Sequence, residues 1–152
     1  TPKAILLSPG PKTPNESGIS LACIDHFYQS IPIIGICLGL QCLIHAFGGE
    51  IKPAKSIYHG KTCTIQHDKS GIFRNLPEKF TVARYHSLAA DQQTLPDCFR
   101  IQAKSIEDDC IMAVCHKSLP LYGIQFHPEA ILTEYGLELL EQFINDINKI
   151  SV

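Results

Sequence analysis

The spacing of hydrophobic and polar positions changes several times along this chain, and each change predicts a structural element. Residues 4–7 form a short apolar run. It is cut off by Ser8-Pro9-Gly10-Pro11-Lys12-Thr13-Pro14, whose prolines and glycine predict a rigid, irregular loop. Apolar side chains at 19, 21, 24, 27 and 28 have the spacing of a helix over residues 19–30. Residues 32–36 are apolar without alternation, the pattern of a strand buried on both faces of a parallel sheet. A helical pattern over 38–47 follows at once and is closed by Gly48-Gly49.

Beyond residue 50 the pattern shortens. Residues 50–55, 61–67, 80–83 and 88–90 read as strands separated by turns. Residues 101–105 and 111–115 read as an antiparallel pair joined across Glu107-Asp108-Asp109, with both aspartates assigned to the hairpin turn. A further apolar strand over 121–126 runs into His127-Pro128-Glu129. The terminal helix is expected over 132–149, with apolar positions at 137, 139, 140, 143, 144 and 147 and a start capped by Thr133 with Glu134. This order predicts an α/β fold: a mostly parallel open sheet flanked by helices, carrying an antiparallel strand insertion, in one domain over residues 1–152.

Composition narrows the function classes. A net charge of −2 without a basic run lacks the electrostatic footprint of nucleic-acid binding. No stretch approaches the roughly 18 apolar residues of a membrane span, and the first residues show no signal-peptide pattern. The cysteines number seven, an odd count without a C-x-x-C pair, which suits reduced thiols in a cytoplasmic protein rather than disulfides or zinc. Six of them are expected to be structural; Cys37 is the exception.

Cys37 sits in Gly35-Ile36-Cys37-Leu38-Gly39, where a buried strand stops and a helix begins. Small residues two before and two after the cysteine suit a nucleophile elbow, a tight turn that exposes the sulfur at the strand's carboxyl end. The Leu38 amide and the helix N-terminus would favour a thiolate and an oxyanion beside it. A cysteine nucleophile needs a base and a group that orients it. His127 and Glu129 follow another buried strand, and in extended geometry their side chains point the same way.

These residues carry a family resemblance. The chain resembles class I glutamine amidotransferases with a Cys-His-Glu triad. More narrowly, it resembles the small subunits of anthranilate synthase and aminodeoxychorismate synthase. The matching segments are Leu6-Leu7-Ser8-Pro9-Gly10-Pro11, residues 35–41, His59-Gly60-Lys61-Thr62, Arg84-Tyr85-His86-Ser87-Leu88, Tyr122-Gly123-Ile124-Gln125-Phe126-His127-Pro128-Glu129 and Ile131-Leu132-Thr133-Glu134. The resemblance implies that Cys37 attacks the side-chain amide of L-glutamine, His127 moves protons and Glu129 orients His127. It implies an oxyanion hole from the amides of Gly10 and Leu38, and a glutamine site formed by Gly10, Pro11, Lys12, Gln41, Ser87 and Leu88. Ammonia would pass to a chorismate-using synthase subunit in a hetero-oligomer. No metal or organic cofactor is implied.

Three positions depart from the family pattern. Lys12 replaces a glycine; at positive φ it would be strained by roughly 1 kcal/mol and would place a cation near the pocket mouth. Leu40 replaces a histidine, and Ala130 a serine. Family members also begin one strand and one helix earlier, so the domain is expected to be N-terminally incomplete. Two other readings compete: a truncated, non-catalytic relative acting as a binding partner, and a cysteine hydrolase with an ester or peptide substrate. His86 is expected to be structural or to line the pocket. His59-Gly60-Lys61 reads as a partner-facing segment or a solvated turn. His45, His67 and His116 read as ordinary surface or helix residues.

Overall fold

A computed structural model describes residues 1–150. Its strands in chain order are β1 (Ile5–Leu7), β2 (Ile33–Ile36), β3 (Ile51–Pro53), β4 (Lys61–His67), β5 (Lys79–Arg84), β6 (Leu88–Ala90), β7 (Phe99–Ser105), β8 (Ile111–His116) and β9 (Leu121–Ile124). Seven of these form one sheet in the order β1-β2-β9-β8-β7-β4-β5, and β3 pairs with β6 in a separate ribbon. The expected α/β architecture is present. The parallel part is β1, β2 and β9. The strands that extend the same sheet beyond β9 are antiparallel and come from the sequence between β2 and β9.

Helices cover both faces. α1 (Ser20–Phe27) and α2 (Leu38–Ala46) lie on one side, where Ile24, Leu40 and Leu43 pack with Ile33, Val114 and Leu121. α3 (Gly136–Ile150) covers the other, where Leu139, Phe143 and Ile147 pack with Ile34, Val82 and Ile124. Adjacent residues Ile33 and Ile34 therefore face opposite cores, which is why this segment is apolar at every position. Each such side chain contributes about 1.5–3 kcal/mol when fully buried.

The far edge of the sheet returns to the segment after β9. β5 lies four strands from β9, yet His127 N–H donates to the Ala83 carbonyl at 3.1 Å and Glu134 N–H to the Thr81 carbonyl at 2.9 Å. The Glu134 carboxylate accepts from Thr81 N–H at 2.7 Å, and Thr133 Oγ1 accepts from Ala83 N–H at 3.0 Å. These bonds correct the expected helix start. Thr133 and Glu134 do not cap α3; they satisfy the open edge of β5, and the helix begins at Gly136. Along α3 the inward residues are Leu139, Phe143 and Ile147, while Leu137 and Ile144 are exposed.

Two side chains assigned to the surface or to a turn are instead part of the interior. His67 is buried, its Nε2–H donating to the Pro77 carbonyl at 2.6 Å and its ring stacked on Phe73. Asp108 does not merely shape a hairpin. It holds the guanidinium of wholly buried Arg84 through two bonds of 3.1 and 3.0 Å and accepts a 2.5 Å bond from Tyr58. All seven cysteines are free thiols, and Cys42, Cys63 and Cys115 are buried along with Cys37.

Candidate functional site

β2 and β9 run parallel with Ile36 opposite Ile124, so the chain leaves both carboxyl ends on one rim of the sheet. Cys37 follows β2 directly. Its N–H bonds the Ile124 carbonyl at 2.7 Å, and its backbone turns to φ 55° and ψ −104° before α2 begins at Leu38. Such a conformation is costly for a residue with a side chain and marks a strained turn. Both flanking glycines are required by space. A Cβ on Gly35 would lie 2.3 Å from the Gly39 carbonyl, and one on Gly39 would lie 2.4 Å from the Leu7 carbonyl oxygen. The elbow expected from the glycine spacing is therefore present.

Around Cys37 the structure gathers the predicted glutamine-site residues from the loop after β1, from the first turns of α2 and from the segment leading into β6. Gly10, Pro11, Lys12, Cys37, Gln41, Ser87 and Leu88 line one cavity of about 90 Å³, together with Tyr85 and His86. Gly10 approaches so closely that a Cβ there would touch Leu38 Cδ2 at 3.0 Å. Lys12 has φ 72°, so the lysine does occupy the left-handed region. Gln41 is buried, and its Nε2 donates to the Leu88 carbonyl and to Gln125 Oε1, both at 3.1 Å.

His127 Nδ1–H donates to Glu129 Oε1 at 2.6 Å. The pairing is made in a turn, closed by Ala130 N–H on the His127 carbonyl at 3.3 Å, and not in the extended geometry expected from the sequence. Two neighbours hold this turn. Thr133 Oγ1–H donates to the His127 carbonyl at 2.6 Å. Gly136 passes so near Pro128 that a Cβ would lie 1.8 Å from its carbonyl oxygen. The Nδ1 bond leaves Nε2 as the ring's free acceptor. Among the described residues that atom is buried and has no hydrogen-bond partner, so the ring and the thiol are not bonded to each other. The Tyr85 ring packs edge-on to His127 with centroids 4.8 Å apart.

Electrostatics at the elbow differ from expectation. Burial pushes the Cys37 thiol up to about 11; the Leu38 N–H lowers it, the Glu129 charge raises it, and the Gln125 amide lowers it. Removal from water thus outweighs the donors that would favour a thiolate. His86 is the reverse case. Burial holds its imidazole down at about 4 against the bond to Leu88, and the Arg84 charge lowers it further. It is a neutral pocket-lining group, donating from Nδ1 to the Leu88 carbonyl at 2.6 Å and accepting from Arg84 Nε at 3.0 Å.

Three contributors had no sequence signal of their own. Gln125 is fully buried and donates to Cys37 Sγ at 3.5 Å while accepting from Gln41. Arg84 supports His86 from beneath, and Gly136 supports the His127 turn.

Comparison with known proteins agrees with this geometry. The family described as glutamine amidotransferase class-I matches residues 1–147. Aminodeoxychorismate synthase component 2 of Serratia marcescens is 50% identical over 147 residues, covering 95% of this chain and 77% of that protein. Anthranilate synthase component 2 of Pseudomonas aeruginosa is 48% identical, covering 94% and 73%. Among solved structures, a Thermoplasma acidophilum protein described as a GMP synthase subunit superposes with a TM-score of 0.87 at 29% identity, over 98% of this chain and 74% of that one.

Proposed function

Because the chain belongs to the class I glutamine amidotransferase family, we propose that it is the glutaminase subunit of a chorismate-using synthase. Relatives named for the anthranilate and for the aminodeoxychorismate enzyme lie within the same range of identity. The reading is therefore the half-reaction common to both. L-Glutamine is hydrolysed to glutamate and ammonia, and ammonia is delivered to a synthase partner. The observation that carries it is the meeting of Gly10, Cys37, Gln41, Ser87 and Leu88 in one cavity beside the bonded His127–Glu129 pair.

Each step has a residue suited to it. Cys37 sulfur adds to the side-chain carbonyl carbon while His127 Nε2 takes the thiol proton. The amides of Gly10 and Leu38 hold the resulting oxyanion, a contribution of about 3–4 kcal/mol per donor in comparable sites. The carbon–nitrogen bond breaks as His127 returns the proton to the leaving nitrogen, which departs as ammonia. Water then adds to the thioester, giving its proton to His127. Collapse releases glutamate, and the proton returns to Cys37. Glu129 fixes the ring so that Nε2 is the acceptor and balances the imidazolium. The seven free thiols support a reducing, cytoplasmic compartment.

The test is glutamate release from glutamine by the chain assembled with the large component of an anthranilate or an aminodeoxychorismate synthase. Cys37→Ser should abolish it, and unchanged release would sink the assignment. The aromatic amine formed in each pairing identifies the branch. A glutamine-analogue diazoketone should label Cys37 and no other cysteine.

A further inference from the structure

We propose that Gln125 is a further catalytic residue, a fixed hydrogen-bond donor to the Cys37 sulfur that stabilises the thiolate as it forms. The inference rests on the reading above, in which that sulfur attacks glutamine. It gives a part to a residue outside the Cys-His-Glu triad and outside the expected glutamine site.

Three observations carry it. Gln125 Nε2 lies 3.5 Å from Cys37 Sγ, and among the described residues Gln125 is the one side chain that hydrogen-bonds this sulfur. Secondly, the orientation of its amide is set from the far end of a buried chain. The Leu88 carbonyl can only accept, so the end of Gln41 that meets it at 3.1 Å is the NH2 group. The same group lies 3.1 Å from Gln125, which therefore turns its oxygen to Gln41 and its N–H groups to the sulfur. Thirdly, the amide serves this site and not the apolar core around it. Gln125 is fully buried between Ile124 and Phe126, and its backbone is already held by the Met112 carbonyl at 2.9 Å. A buried amide costs stability unless it is bonded, and here each end is bonded to a residue of the Cys37 site. A thiol sulfur is a weak acceptor and an ionised acceptor a much stronger one. The bond therefore strengthens as charge develops on sulfur, the condition for lowering a barrier.

Two variants separate the sulfur bond from packing. Gln125→Glu fills the same space and still accepts from Gln41, but when ionised it offers the sulfur no donor. Gln125→Met removes both bonds. In the free chain, iodoacetamide labelling of Cys37 is followed on its own peptide by mass spectrometry. At about pH 9 it should slow about threefold in Gln125→Met: about tenfold less thiolate, the worth of one bond to a charged group, partly offset by the greater reactivity of a more basic thiolate. Gln125→Glu should slow further, because its carboxylate repels the thiolate. In the complex with the synthase partner, kcat for glutamate release should fall about tenfold in both variants, and the KM for glutamine should rise in Gln125→Met alone. Lowering the pH from about 8 to about 6 should bring Gln125→Glu back toward wild type, since a buried carboxyl protonates in that range and regains a donor. A packing defect would not respond in this way. If both variants label and turn over like wild type, or if Gln125→Glu is equally impaired at every pH, this inference is overturned alone. If the wild-type complex releases no glutamate while Cys37 labelling still depends on Gln125, the glutamine reading falls and the stabilised thiolate stands.

Discussion

Asp108→Ala should be among the most destabilising single changes in this protein. Arg84 is wholly buried, and Asp108 supplies its one carboxylate through two bonds of 3.0 and 3.1 Å. For charge centres about 4 Å apart at an effective dielectric constant of about 20, the lost attraction is about 4 kcal/mol. Breaking a buried pair on one side typically costs about 3–5 kcal/mol, because the remaining charge stays out of water. Tyr58 also loses the acceptor for its hydroxyl. With a urea slope of about 2 kcal/mol/M, the unfolding midpoint should fall by roughly 2 M. Replacing both partners, as in Arg84→Met with Asp108→Leu, should recover most of that loss. The pH dependence has a definite sign. Burial pushes the Asp108 carboxyl up, but the bonds from Arg84 and Tyr58 outweigh it and hold it well below the usual carboxylate range. The stabilisation is therefore complete above about pH 4 and is lost as pH falls toward the lowered value. Wild type and Asp108→Ala should converge in strong acid. A midpoint shift under about 0.5 M, or a double variant no better than the single one, would refute the reasoning.

Other consequences are open to direct measurement. Alkylation of Cys37 by iodoacetamide in the free chain should accelerate with pH up to about 11, and Glu129→Gln should move that profile to lower pH by removing a repelling charge. An inflection near 8.5 would contradict the buried thiol. Burial holds His86 at about 4, below its unfolded value of about 6.5. The unfolded chain thus binds more protons between these values, and stability should decline as pH falls through that window; His86→Gln should flatten this limb in urea titrations. Gly136→Ala places a methyl against the Pro128 carbonyl and should cost about 1–3 kcal/mol. It should also reduce glutamate release more than the same loss of stability introduced at a remote core site.

Local chemistry made the elbow readable in advance. Gly35 and Gly39 are demanded by contacts within a few residues or with the adjacent strand, so their spacing carries the turn. His127 and Glu129 are separated by a single residue, and their pairing survived the change from extended chain to turn. The unread features are those fixed by the return of β5 to the segment after β9. Thr133 and Glu134 look like helix caps because the sequence cannot show that β5 ends with open N–H groups beside them. Asp108 looks like a turn residue because its partner, Arg84, is 24 positions away on another strand. Gln125 and His67 are polar side chains in strand patterns, and only the closed core shows that each has a bond waiting.

Three properties of the site belong to a single condition. The Cys37 cavity, at about 90 Å³, falls well below the roughly 300–1,000 Å³ of sites that enclose a ligand. The thiol is raised to about 11 by the same exclusion of water. Among the described residues His127 Nε2 has no hydrogen-bond partner, although its Nδ1 is already fixed. On the proposed reading, a thiol held protonated is a poor nucleophile, and a base without a donor in reach has no proton to take. Bringing Nε2 to the sulfur would stabilise the thiolate by placing a cation beside it, the change that overcomes desolvation in paired thiol sites. Tyr85 is 41% exposed and its ring packs against His127, whereas Cys37 is clamped by Gly35, Gly39 and the Ile124 carbonyl. On the proposed reading, a substrate or synthase partner bound against Tyr85 would bring His127 Nε2 to the Cys37 sulfur.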